Sequence, residues 1–246
     1  MSSLREKFLR DGYVIVEEVF SVEDLSFAIE SLRVVLLNGD RSLEDLELDQ
    51  LILHRENQDH QVVYNAAISL GSSAGALRLM ASSKLFNLVA EAGGCALEAF
   101  HAMPLMVNIQ LPSDNRFDYK WHQESTFYPW CPDILNVWFP LLRRSSPELG
   151  TMSIVPGSHT GGQREPVREM AGNFLQLVSP ISEQELEQQI AVEINPGDII
   201  IFDSNLVHRS QANSGRLPRL TGIGRFVNMR TQPSFRPLYK ALSYEV

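Results

Sequence analysis

The chain has 246 residues, 44% hydrophobic and 21% charged, with 21 lysines and arginines against 30 acidic residues and a net charge of −9. This length suits one core-forming domain with a helical flank, and no basic stripe is present to neutralise nucleic-acid phosphates. Cys95 and Cys131 lie too far apart in sequence for a Cys-x-x-Cys pair, and no apolar run reaches membrane-spanning length, so a cytoplasmic protein with neither a nucleic-acid nor a membrane partner is expected.

The first hundred residues read as mostly helical. Leu4, Phe8 and Leu9 form an apolar stripe before Gly12, a C-terminal helix stop, and Tyr13-Val14-Ile15-Val16 has strand composition. Ser21 with Asp24 three residues on marks a helix start, and Leu25, Ala28, Ile29, Leu32, Val35 and Leu36 repeat at helical spacing until Asn38-Gly39. Further helices are expected around 43–53 and over 75–92, ending at Gly93-Gly94. Residues 1–96 thus form a mainly helical buttress.

Strand composition then takes over, over 100–111, 120–125, 135–142, 151–155, 190–194, 198–203, 206–210 and 219–227. Asn195-Pro196-Gly197-Asp198 places proline and glycine where a type II turn needs them, and Pro156-Gly157-Ser158-His159 ends a strand abruptly. The class is α+β: a double-stranded β-helix, or jelly-roll and cupin-like barrel, of about eight antiparallel strands backed by the N-terminal helices. Its core spans 97–230, with a tail over 231–246. Residues 160–189 interrupt it as a glycine-rich, charged insertion holding one short helix started by Ser182 and Glu185.

Within Lys120-Trp121-His122-Gln123-Glu124, period-two alternation in an extended segment sends His122 and Glu124 to one side. An imidazole and a carboxylate aimed together can hold a divalent metal. A third ligand is offered by His208, after the apolar run Ile199 to Phe202. If 206–210 and 219–227 pair as a hairpin, with 208 opposite 219, then His208, Ser210 and Arg219 all face inward. A buried arginine needs an anion, and arginine with a hydroxyl suits a carboxylate. Two imidazoles and one carboxylate leave positions open on non-haem iron(II), and a dicarboxylate such as 2-oxoglutarate would both chelate the metal and reach Arg219 with Ser210. Of the other histidines, His54 and His60 suit solvated positions and His159 a turn, while His101 at a strand start is a candidate ligand contact.

The chain resembles the phytanoyl-CoA dioxygenase-like family of iron(II)/2-oxoglutarate-dependent oxygenases over nearly its whole length. The resemblance is carried by Phe8 to Val14, Trp121-His122-Gln123-Glu124, Trp138, Gly150 to His159, Pro196-Gly197-Asp198, and His208 followed by Arg219. It implies iron ligation by His122, Glu124 and His208 and 2-oxoglutarate contacts from Arg219 and Ser210, with Trp138 and either Asn108 or Gln110 lining the same pocket. The family usually has aspartate where this chain has Glu124, so the extra methylene shifts the metal or changes the carboxylate rotamer. Halogenating relatives lack this carboxylate; its presence implies hydroxylation or desaturation of a small molecule, with release of succinate and carbon dioxide. Phe127, Tyr128 and Trp130, and Arg164 and Arg168 of the insertion, are candidate substrate contacts at the barrel mouth. Two alternatives stand beside this reading. A cupin-like metal enzyme that does not use 2-oxoglutarate would have no need of Arg219 with Ser210, and an inactive binding relative would usually have lost a ligand.

Overall fold

A computed structural model describes residues 2–114, 119–129, 131, 133–171 and 174–231. Helix α1 (Leu4–Asp11) starts in a capping box between Ser3 and Glu6 and stops at Gly12, whose φ of 80° is left-handed and whose N–H donates to Phe8 O at 2.8 Å. Strand β1 (Tyr13–Val16) follows, then α2 (Val22–Leu37), boxed by Ser21 and Asp24 and ended by left-handed Asn38. The helix expected near 43–53 is a short 3-10 turn (Arg41–Leu43) and α3 (Leu48–Gln58). Helix α4 (His60–Gly71) was not anticipated, and the helix expected over 75–92 is two, α5 (Ala74–Met80) and α6 (Ser83–Gly93). The break has a local cause, since the Ser82 side chain accepts from Leu85 N and starts a new helix there.

The strands after α6 are β2 (Phe100–Ala102), β3 (Met106–Gln110), β4 (Ile134–Pro140), β5 (Met152–Ile154), β6 (Val167–Ala171), β7 (Phe174–Val178), β8 (Ile190–Ala191), β9 (Ile199–Asp203), β10 (His208–Ser210) and β11 (Arg219–Asn228). Five of them join β1 in one six-stranded antiparallel sheet in the order β1-β9-β4-β11-β2, with β3 also on β11; β10-β5-β8 form a second, smaller one. Period-two alternation divides their side chains between two cores. Leu135, Val137, Phe139, Ile199, Ile201, Leu220 and Phe226 join the helix residues in one cluster, whereas Trp138, Ile200 and Phe202 meet Met152 and Ile154 of the second sheet. The central strands are therefore apolar on both faces. The molecule is an α+β jelly roll whose helices cover the outer face of the larger sheet.

Two expectations are corrected. Segments 206–210 and 219–227 do not form a hairpin: His208 stands opposite Ile154 of β5, and Arg219 opposite Gln110 of β3. The polar stretch between them arches from one sheet to the other. Gln211 N donates to Thr151 O and Ser214 N to Glu148 O, while Asn213 Nδ2 reaches Gln110 O and Leu217 O. Nor is 120–125 a regular strand. It makes one antiparallel bridge, His122 to His208, and turns into a 3-10 helix at Glu124–Thr126.

The insertion holds a hairpin of β6 and β7 as well as the expected short helix, α7 (Glu183–Glu187), with its Ser182/Glu185 capping box. The Asn195 to Asp198 turn is as expected. Asp198 N donates to Asn195 O at 3.0 Å, and Gly197 has a φ of 99° that its missing Cβ permits.

Candidate metal centre

His122 and His208 are joined by reciprocal backbone hydrogen bonds of 2.8 and 3.0 Å, which fixes the two imidazoles side by side on the inner face of the smaller sheet. Gln123, between the metal-facing residues, has extended backbone angles of −122° and 135°. Its neighbours therefore point inward together while its own side chain turns out, as expected from period-two alternation. Outward, Gln123 is fully buried: its amide nitrogen donates to Gly162 O and Asn205 O, and its amide oxygen accepts from Arg164 N. The insertion is thereby tied to the back of the site.

Each imidazole donates Nδ1–H to a carbonyl, His122 to Lys120 O at 2.7 Å and His208 to Leu206 O at 2.9 Å. A carbonyl can only accept, so Nε2 of each neutral ring carries the lone pair, the tautomer that binds a metal. Both Nε2 atoms lie 3.8 Å from Glu124 Oε1, and the ligand atoms of the three residues fall within 4.8 Å of one another. Their exposures are 7%, 7% and 5% for His122, Glu124 and His208. Two imidazoles and one carboxylate at this spacing suit a divalent transition metal.

A residue that sequence reasoning missed completes the electrostatics. Arg225, buried on β11, donates Nε–H to Glu124 Oε2 at 2.9 Å, and its guanidinium lies over the Tyr128 ring, 5.3 Å from the centroid. Burial opposes charge on Glu124, but the guanidinium, followed by the two imidazoles, holds this carboxyl well below the usual range. Burial and then the neighbouring His122 lower the pKa of His208, which favours its neutral, ligating form. The longer side chain of glutamate thus has a visible use: one oxygen faces the imidazoles while the other reaches Arg225. A signal for Arg225 was present, because it shares parity with Arg219 on one strand and so the inward face.

The three residues open on a cavity of about 240 Å³ between the sheets. Asn108, Trp138, Ser210 and Arg219 line it, as do Phe127 and Tyr128 at its mouth, with Met106, Tyr119, Met152, Phe202, Ile223 and Arg225 in addition. Ser210 and Arg219 come from opposing sheets rather than adjacent strands of one hairpin, yet they face one space.

Four candidates stand elsewhere. Gln110 is buried at the arch, its Nε2 3.4 Å from Asp114 O and Gln211 O, one step beyond Asn108 on the same strand face. His101 is exposed on the edge strand β2. Arg164 binds Glu185 and Pro180 O within the insertion, and Arg168 lies on the β6–β7 hairpin away from the cavity. An exposed charge in an insertion found local partners, the usual outcome. Trp130 lies outside the described residues.

Residues 8–221 match the family described as Phytanoyl-CoA dioxygenase (PhyH). A 1-deoxypentalenic acid 11-beta-hydroxylase of Streptomyces exfoliatus is 31% identical over 117 residues, 46% of this chain and 40% of that protein. The ectoine dioxygenase of Sphingopyxis alaskensis is 24% identical over 229 residues, 86% of this chain and 71% of that one. The chain thus spans less than half of the first relative and about seven-tenths of the second. Among solved structures, the epimerase SnoN in complex with Fe3+, alpha ketoglutarate and nogalamycin RO superposes with a TM-score of 0.64 at 19% identity, covering 92% of this chain and 82% of that one. EctD from S. alaskensis with 2-oxoglutarate and 5-hydroxyectoine gives 0.62 at 19% identity, covering 92% and 76%. At these identities the structures speak to the fold.

Proposed function

The chain belongs to the phytanoyl-CoA dioxygenase (PhyH) family, and from that premise we propose that it is a non-haem iron(II)/2-oxoglutarate-dependent dioxygenase that hydroxylates or desaturates a small molecule. The observation that carries this reading is the pair of imidazoles with Nε2 bared by their carbonyl bonds, facing one carboxylate oxygen in a cavity that also holds Arg219 and Ser210. The donor set fits the metal. His122, Glu124 and His208 would hold it, and Arg219 with Ser210 would take the far carboxylate of 2-oxoglutarate. Bound iron(II), 2-oxoglutarate and dioxygen supply the oxidising chemistry, in which an unactivated C–H bond is broken and succinate and carbon dioxide are released.

The protein contributes orientation and exclusion of water. Arg225 fixes the Glu124 rotamer, so that one carboxylate oxygen stays aimed at the imidazoles. Trp138, Met152 and Phe202 form an apolar floor, and Phe127 and Tyr128 flank the entrance for the substrate. No helix among the described residues is long and apolar enough to cross a membrane, and a cytoplasmic, single-domain enzyme is part of the reading.

The test is succinate formation from 2-oxoglutarate in the presence of iron(II), oxygen and a library of small-molecule acids, amino acids, nucleosides and lipids. At least one compound should stimulate succinate release, and His208→Ala should abolish it. Unchanged release in the mutant would remove His208 from the site. Turnover without any need for 2-oxoglutarate would favour a cupin-like metal enzyme instead.

A further inference from the structure

We propose that Arg225 is the substrate's anion receptor, and that the substrate is therefore a small molecule with an apolar body and one carboxylate. This rests on the iron and 2-oxoglutarate reading and adds the substrate class to it. Among the described residues, the Arg225 side chain makes one hydrogen bond, from Nε to Glu124 Oε2, and it lines the cavity. Stacking on Tyr128 covers one face of its guanidinium, and the two terminal amino groups remain for a ligand. They present a fork that matches a carboxylate.

Placement argues that this ligand is not 2-oxoglutarate. Arg219 and Arg225 share the inward face of β11 but are six residues apart, roughly 20 Å along an extended strand. Ile223 lies between them on the cavity wall. Arg219 lines the cavity toward one end of β11, whereas Arg225 stands by the metal-facing carboxylate, so a short dicarboxylate bound to the metal and gripped by Arg219 leaves Arg225 on the other flank. Glu124 is the one acidic side chain lining the cavity among the described residues. Glu124 is already engaged by Arg225 Nε and would also face the metal, so the two terminal amino groups of Arg225 keep no acidic partner among the described residues.

Buried donors left without an acceptor are costly, and a substrate carboxylate would supply two acceptor oxygens at once. In register with Arg225 across the β4–β11 pair, Asn136 is wholly buried, and among the described residues neither of its amide atoms is hydrogen-bonded. The other walls, Phe127, Tyr119, Met106 and Ile223, are aromatic or apolar and suit the body of the ligand.

The experiment uses the full chain loaded anaerobically with iron(II) and 2-oxoglutarate. Binding of hexanoate, cyclohexanecarboxylate and phenylacetate is compared by calorimetry with that of the three matching primary amides. At least one acid should bind about tenfold or more tighter than its amide. Arg225→Gln, which keeps a donor for Glu124 but lacks the charge, should lose that preference, and Arg225→Lys should retain part of it. Acids and amides that bind alike, or not at all, to the wild-type protein would overturn the proposal, as would a full preference surviving in Arg225→Gln. The visible absorption of the iron/2-oxoglutarate chelate separates the two readings. If wild-type protein never develops it, the oxygenase reading fails and takes this one with it; if it develops without an acid preference, only the role of Arg225 falls. A loss of the chelate in Arg225→Gln that matching 2-oxoglutarate concentration restores would place Arg225 on the cosubstrate and also overturn the proposal.

Discussion

At the scale of single residues, the two arginines of β11 divide the electrostatic work, one facing the cavity that Ser210 also lines and the other on Glu124. A charge-assisted hydrogen bond is worth about 1.5–3 kcal/mol. Arg219→Ala should therefore raise the 2-oxoglutarate concentration needed for half-maximal turnover by roughly 10–100-fold, with a much smaller effect on the substrate requirement. Steady-state kinetics with each component varied in turn decides this, and equal effects on both would remove Arg219 from the cosubstrate. His122, Glu124 and His208 were readable because ligand chemistry restricts residue type and because one extended residue between two others sends them the same way. Arg225 was not read, because a charged side chain near the end of a strand more often points to solvent. Parity with Arg219 carried the information, and only the strand's unbroken run over ten residues made that parity usable.

At the scale of elements, the metal-facing segment is held by its neighbours rather than by a long ladder of its own. Gln123 bonds three backbone groups on two separate segments. Gln123→Ala should cost about 2 kcal/mol in chemical denaturation, since buried donors and acceptors are stranded; a loss under a few tenths would show that water fills the gap. The insertion carries its own pH dependence. Arg164, by hydrogen bonding, holds the Glu185 carboxyl down to about 2. A depressed carboxylate stabilises the fold above its unfolded pKa and loses that contribution as pH falls from about 4.5 towards 2. The pair is partly exposed, so the contribution is no more than about 1 kcal/mol. Melting curves of wild-type protein and Arg164→Met should differ at pH ~7, draw together below pH ~4.5 and converge near pH ~2; an undiminished gap in acid would assign the effect to packing. Sequence was a good guide to β9, where the apolar run Ile199 to Phe202 is unbroken, and it also placed β11. It misplaced the link between β10 and β11 because the polar residues of a tight hairpin and of an arch between sheets are alike. Helix α4 escaped notice for another reason: Val62, Val63, Asn65 and Ser69 are weak helix formers, held by packing on β3.

At the scale of the whole molecule, the larger sheet serves two cores. Its outer face takes the helices, with Phe86 meeting Phe226 edge-on at 5.1 Å, and its inner face turns Trp138, Phe202, Arg219 and Arg225 toward His122, Glu124 and His208. The helical layer thus backs the strands from which the cavity is built, and the His122, Glu124 and His208 side chains meet the arginines of β11 only when both sheets are in place. The central claim is that this meeting point binds iron(II) and 2-oxoglutarate together. The most direct measurement is anaerobic titration of the purified chain with both, followed by visible absorption and bound-metal analysis. Wild-type protein should develop the chelate absorption, saturating at one iron per chain and requiring both components, and His208→Ala should develop none. A wild-type protein that gives no chelate absorption, or a His208→Ala protein that gives it undiminished, would contradict the account.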